Sequence, residues 1–307
     1  EYPDAGRSLP VDTGDRGVSS NAALQRVRRA FGARKAGHTG SLDPLASGLL
    51  PVCLGQATKA CGLLLDADKT YRFRIALGRS TTTGDREGDT VETKPVPGLD
   101  EAALREAATR FLGESTQVPP MYSALKHGGE RLYRLARAGL EVERAPRRIF
   151  IRRFELLDAG AGAPEFEVSC SKGTYVRSLA EDLARALGTV GHVTALRRTA
   201  LGPFTGARMH TLDDVERAAA DGTGLEALLL PVDDALPALP AVQLGAIEQA
   251  SVLQGRPVPA VGPGATRVRM YGVGGLFLGV GRMSAEGARV APERIMVAVP
   301  ATASVRA

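Results

Sequence analysis

The residues best placed to do chemistry lie in one stretch, Lys35-Ala36-Gly37-His38-Thr39-Gly40-Ser41-Leu42-Asp43-Pro44-Leu45-Ala46-Ser47-Gly48-Leu49-Leu50-Pro51. It holds a single carboxylate, Asp43, among glycines at 37, 40 and 48 that permit positive φ and close approach of another molecule. Pro44 fixes the backbone after Asp43 and biases it away from helical angles. By residue type, Asp43 reads as an N-cap, with Pro44 at the first helical position and Leu45 to Leu50 as a short apolar helix. A second group, Lys172-Gly173-Thr174-Tyr175-Val176-Arg177, opens a predicted helix, where a Tyr-x-Arg pair commonly serves structure. A third candidate, Tyr71, lies on an alternating stretch and on residue type alone belongs to the core.

The elements that must position these groups can be read in order. Residues 1–20 are rich in Pro, Gly and Asp and read as an irregular arm. Ser20 or Asn21 caps a helix over 22–31, with Leu24, Val27 and Phe31 on one face. Residues 68–78 alternate, Tyr71, Phe73, Ile75 and Leu77 against Arg72 and Arg74, and form a strand. The polar run 79–98 is a long loop, and Asp100 caps an amphipathic helix to Leu112. Residues 117–140 make an exposed excursion ending in a short helix with Arg131, Arg134 and Arg137. Strands follow over Phe150–Leu157 and Phe166–Cys170, then a helix over Tyr175–Leu187 ended near Gly188. Val190–Leu201 is a further strand, with a helix after Thr211. Pro231–Pro240 reads as a linker. Beyond it come a helix near 246–254 and strands at 267–271, 276–281, 289–290 and 295–299. The class is α+β, with one mostly antiparallel central sheet flanked by helices and a small β-rich C-terminal unit.

Composition narrows the function. The 307 residues are 44% hydrophobic, enough for a sizeable core. Lys and Arg total 39 against 34 Asp and Glu, a net charge of +5, and most of the cations are arginines, planar binders of phosphate. A polyanionic partner fits that balance. Cys53, Cys61 and Cys170 form no C-x-x-C pair and read as reduced thiols of a cytosolic protein. His38, His127, His192 and His210 lack metal-ligand spacing, so no metal is expected. No membrane span or signal peptide is evident, which points to the cytoplasm. The chain opens on Glu1, which reads as a trimmed or incomplete start.

The string G-H-T-G-S-L-D-P-L-A-S-G-L-L-P closely resembles the active-site motif of the TruB family of tRNA pseudouridine synthases. The resemblance makes Asp43 the catalytic nucleophile. K-G-T-Y-V-R at 172–177 is similar to a second motif of that family and implies that Arg177 pairs with the aspartate while Tyr175 lines the pocket. An arginine fork orients a carboxylate and favours its ionised form. Tyr71 matches the tyrosine that the family stacks on the target base, with its hydroxyl available for proton transfer. Asp85 matches an aspartate near the pocket, and Leu196 in L-R-R-T a leucine that walls it. His38 corresponds to a histidine that enters RNA where the base has left. Pro119 to Lys126, and Arg131 after it, match an RNA-gripping insertion.

The likeness spans roughly residues 9–300. It implies a pseudouridine-synthase fold over 1–235, with the gripping insertion at about 117–145 and a PUA-like RNA-binding domain over 240–307. The implied reaction isomerises the T-loop uridine, position 55, of tRNA in a monomer that needs no cofactor; the partner is the T-arm of tRNA. One departure stands out. The family's L-D-K-P-x-G-x-S-S-N string is here Val11 to Asn21 without the Lys-Pro, and Arg16 is the nearest substitute for the lysine's charge. Two other readings share the pattern: a non-catalytic RNA-binding or RNA-folding protein, and a synthase working in a guide-RNA complex.

Overall fold

The apolar run after Asp43 folds as a strand rather than a helix. In the computed structural model, which describes residues 6–14, 17–160 and 162–297, Ala46–Leu54 lies in the middle of the larger of two main sheets. Its residues are apolar at nearly every position because both faces are covered, so the run lacks the alternation of a half-buried strand. Leu50, Val52 and Leu54 enter one hydrophobic cluster, Leu49 and Cys53 another. Asp43 therefore caps no helix; it sits in the loop before the strand, turned by an Ala46 N–H to Asp43 carbonyl bond of 2.9 Å.

The main elements in chain order are β1 (Arg7–Asp12), α1 (Ser20–Ala30), β2 (Ala46–Leu54), β3 (Lys69–Leu77), α2 (Glu101–Thr109), β4 (Gly113–Gln117), α3 (Leu132–Arg137), β5 (Arg147–Asp158), β6 (Glu165–Cys170), α4 (Val176–Ala186), β7 (Gly191–Leu201) and α5 (Leu212–Asp221). The large sheet runs β1-β2-β7-β3-β6-β5-β4. Within that order β2 and β7 pair in parallel and every other pair is antiparallel, in line with the expected class. Helices α2 and α4 cover the half built on β3, β5, β6 and β7, around Phe73, Phe154 and Phe166. Helices α1 and α5 cover β1 and β2.

Several boundaries differ from the sequence reading, each for a local reason. The arm at 1–20 contains a true strand, since Leu9 and Val11 are buried against β2. The cap of α1 is Ser19, whose hydroxyl accepts from the Ala22 N–H; Ser20 is left free to serve another loop. The 79–98 loop contains a small hairpin, Arg79–Thr81 with Thr90–Thr93. Arg131 belongs to a hairpin strand before α3 rather than to the helix. The Pro231–Pro240 segment is packed, not free. Val232, Ala235 and Leu236 are buried with Leu49 and Cys53 on one side and Val280 and Met296 on the other. The C-terminal strands Ala241–Gln243, Arg267–Tyr271, Phe277–Met283, Arg289–Ile295 and Val258–Pro259 form a five-stranded sheet, and the two short strands expected after 288 are one. The residues from 298 onward lie outside the described ones.

Gly48 is where the two parallel strands meet most closely. Its φ is +97°, and a Cβ there would run into the carbonyl oxygen of Arg198 on β7. Gly222, the C-cap of α5, also has positive φ (+66°) but faces open space. Gly48→Ala is expected to cost about 2–4 kcal/mol through strain and loss of pairing, and Gly222→Ala about 1 kcal/mol through strain alone. Urea denaturation of both variants checks the ordering.

Candidate active site

Arg177 is the hub of the site. It sits in the first turn of α4 with only 4% of its side chain exposed. Its Nε donates to Asp43 Oδ2 at 2.8 Å, its Nη1 to the Thr83 carbonyl at 2.7 Å and its Nη2 to the Tyr122 carbonyl at 2.8 Å. Asp85 Oδ2 lies 3.6 Å from Nη1. The expected two-pronged fork onto Asp43 is thus a single bond. The remaining donors tie the 81–85 loop and the 117–140 excursion to the same point.

That arrangement leaves Asp43 half-free. Its side chain is 36% exposed, and Oδ1 makes no hydrogen bond among the described residues. One oxygen is held and the other is unpaired among the described residues, an arrangement that suits an oriented nucleophile. The loop is anchored separately. Ser20, at the start of α1, accepts from the Leu42 N–H at 2.8 Å, and Thr39 N–H donates to the Pro51 carbonyl at 3.2 Å. Asp85 is a buried support. Its Oδ1 accepts from Thr83 Oγ1 at 2.6 Å and from the Glu87 N–H at 3.0 Å.

Both candidate tyrosines lie in the electrostatic reach of Asp43. Burial pushes the Tyr71 hydroxyl above the usual phenol range, opposed by the Arg198 guanidinium beside it. Burial also pushes Tyr175 up. Tyr175 precedes α4, and its backbone is held by the Gln117 side chain, which accepts from its N–H at 2.8 Å and donates to its carbonyl at 3.1 Å. Leu196, on β7, is buried in the cluster on which Leu42 and Tyr71 pack. Burial, then Arg198, hold His38 below the ordinary histidine range, so its imidazole is neutral at pH 7. Lys126 and Arg131 face each other across a hairpin at the exposed end of the excursion, linked to the pocket only through that segment.

The structure therefore joins Asp43 and Asp85 through Arg177, sets Tyr71 and Tyr175 within the electrostatic reach of Asp43, and packs Leu196 in the cluster with Leu42 and Tyr71; Lys126 and Arg131 lie on the exposed hairpin of the excursion. Sequence reading passed over Gln117, Ser20 and Arg198. For Arg198 a signal existed. Alternation on β7 puts it on the apolar face with Leu196, opposite Tyr71. Thr13, where the lysine of the family string would stand, is buried and bonds through its N–H (3.1 Å) and hydroxyl (3.3 Å) to the Gly48 carbonyl. Arg16 lies outside the described residues. Among the described residues no cluster of His, Cys, Asp and Glu has metal-binding geometry, and no helix is long and apolar enough to cross a membrane.

The sheet order and the helices that cover it form a fold shared with known proteins. A solved Cbf5–Nop10–Gar1 complex matches with a TM-score of 0.73 at 26% identity, over 95% of this chain and 85% of the other. An H/ACA RNP bound to a substrate RNA containing 2'-deoxyuridine matches at 0.72 and 23%, over 97% and 92%, a likeness of fold. The family model of the TruB pseudouridylate synthase N-terminal domain matches residues 28–176, that of the tRNA pseudouridylate synthase B C-terminal domain 177–237, and a TruB pseudouridine synthase II C-terminal model 240–296. Proteins named tRNA pseudouridine synthase B are 50% identical in Nitrosococcus oceani (91% of each chain) and 47% identical in Hydrogenovibrio crunogenus (91% and 90%). The chain belongs to the TruB family.

The asymmetry of the Arg177 contacts gives a stability test. Arg177→Met strands the buried Asp85 and two carbonyls and is expected to cost about 3–5 kcal/mol. Asp43→Asn, at the partly open end, is expected to cost under about 1 kcal/mol. Chemical denaturation that ranked the two the other way would make Asp43 the structural partner.

Proposed function

We propose that this protein is a tRNA pseudouridine synthase that isomerises the T-loop uridine at position 55, acting as a monomer in the cytoplasm. The observation that carries the reading is Asp43, with Oδ2 held by Arg177 and Oδ1 unbonded among the described residues, in electrostatic reach of Tyr71 and Tyr175. Relatives at about half identity over nine-tenths of both chains, named for the same reaction, support it.

The chemistry asks little beyond position. The C1'–N1 bond of the nucleotide breaks, the uracil turns in place, and a C1'–C5 bond forms. C5 gives up a proton and N1 takes one, so no electrons are gained or lost. Asp43 Oδ1 acts as the nucleophile that carries the intermediate, whether attack falls on the sugar or on the base. Tyr71 stacks on the uracil and moves the proton, while Tyr175 and Leu196 wall the pocket. Extruding the base from its loop costs a few kcal/mol, roughly, and neutral His38 fills part of the gap. Lys126 and Arg131 grip phosphates, and the C-terminal sheet is a PUA-like domain that adds RNA contacts.

Two measurements test this. Purified protein alone should convert uridine to pseudouridine in an unmodified tRNA transcript, and Asp43→Asn should bind that transcript within a few-fold of the parent while losing essentially all turnover. Conversion only in the presence of guide RNA and partner proteins would favour the reading suggested by the ribonucleoprotein neighbours. RNA effects untouched by Asp43→Asn would favour a non-catalytic binder.

The phosphate grip has its own signature. Affinity should fall steeply with salt as counterions are released. Replacing Lys126 and Arg131 by alanine should flatten the slope of log K against log[salt] by about one for each phosphate no longer neutralised, with the single-turnover rate at saturation little changed.

A further inference from the structure

Arg198 is a cation in an unusual place. It is 1% exposed, among the largest fully buried side chains, and no carboxylate lies within ion-pair distance among the described residues. Its neighbour Arg197, on the opposite face of β7, pairs with Asp12 as a surface arginine does. Burying an ion without a counter-ion costs several kcal/mol, roughly, unless fixed dipoles replace its water. Here they do. Arg198 Nε donates to the Leu49 carbonyl at 2.7 Å and Nη2 to the Gly40 carbonyl at 3.2 Å. Those carbonyls flank Asp43 in sequence: Gly40 lies in its loop, and Leu49 lies inside β2, the strand that follows. The same guanidinium lies beside Tyr71, its direct cross-strand partner on β3, and its charge bears on the Tyr71 hydroxyl.

We infer that Arg198 is a positioning residue for the reaction, tying the loop that carries Asp43 to β2 and fixing the surroundings of Tyr71, its cross-strand partner. The inference rests on the roles given above to Asp43 and Tyr71. A plain packing role would be met by a leucine or methionine at this apolar site, with no ion to desolvate. Three titratable or charged groups face Tyr71: Arg198 from β7, Cys170 from β6 and Asp43 from its loop. Burial, Cys170 and Asp43 all disfavour the phenolate, and Arg198 alone favours it. Its charge also bears on His38 and Lys69, the other basic groups nearby. One side chain thus sets the position of the nucleophile and the proton affinity of the phenol.

The test uses the full-length protein with Arg198→Lys and Arg198→Leu, ring-13C-labelled tyrosine, and Tyr71→Phe to assign the Tyr71 signal. Arg198→Lys keeps the charge but cannot span both carbonyls. It is expected to lower the single-turnover rate about tenfold to a hundredfold, with tRNA affinity within threefold and the Tyr71 titration little moved. Arg198→Leu should in addition raise the Tyr71 titration by about one pH unit or more. Should Arg198→Leu fail to fold, Arg198→Lys carries the test through its split of rate from affinity. Unchanged single-turnover rate in Arg198→Lys, or rate and affinity falling in parallel, overturns the inference. So does an unmoved Tyr71 titration in a folded Arg198→Leu. Full activity of Tyr71→Phe would instead remove the role proposed for Tyr71, while the rate and affinity of Arg198→Lys would still judge the hold on the Asp43 loop.

Discussion

The site depends on one buried arginine whose three guanidinium nitrogens each donate to a different segment of the chain. Arg177 meets Asp43 across 134 residues of chain, and its other donors are taken by carbonyls of two further loops. Each of those loops is irregular and would be mobile by itself. Because a buried guanidinium must keep its acceptors or bear its full desolvation cost, the three segments are held to one geometry. The rigidity comes from α4, whose first turn carries Arg177 and whose Leu179 and Leu183 are anchored in the core. The Asp43 carboxylate, on an irregular loop, thereby gains the precision of a helix.

Strand β7 plays the matching part on the other side. It lies between β2 and β3, so its alternate residues reach both the loop of Asp43 and the strand of Tyr71. Leu196 and Arg198 point to the same face; one supplies packing and the other polar anchoring. Gly48 allows β2 to approach β7 closely enough for that reach.

The C-terminal sheet is bound into this scaffold rather than tethered to it. The back of β2, through Leu49 and Cys53, shares a cluster with Val280 and Met296. Lys59 Nζ donates to the Ile295 carbonyl at 2.6 Å, and the Tyr271 hydroxyl donates to Asp233 at 2.9 Å. The strand that begins three residues after Asp43 is therefore covered by α1 and α5 on one face and by C-terminal residues on the other.

Much was legible in the residues themselves. Alternation at 68–78 named β3 and its buried face, because a two-residue period survives wherever one face is wet. Asp100 and Thr211 marked helix starts, since a short polar side chain at that spot satisfies an otherwise orphaned N–H. The motif strings identified the family and brought forward Asp43, Arg177, Tyr71 and Tyr175. What tertiary structure alone decided was everything set by contacts distant in sequence. Leu45 to Leu50 became a strand because it is buried on both faces, which erases the period that tells helix from strand. Arg177 gives one bond to Asp43 and two to carbonyls because of where the 81–85 loop and Tyr122 arrive. The segment at 231–240 packed because two sheets present apolar faces to it. Arg198 is told apart from Arg197 once the alternation of β7 is set against β2 and β3, which turns one arginine outward to Asp12 and buries the other against the Leu49 and Gly40 carbonyls.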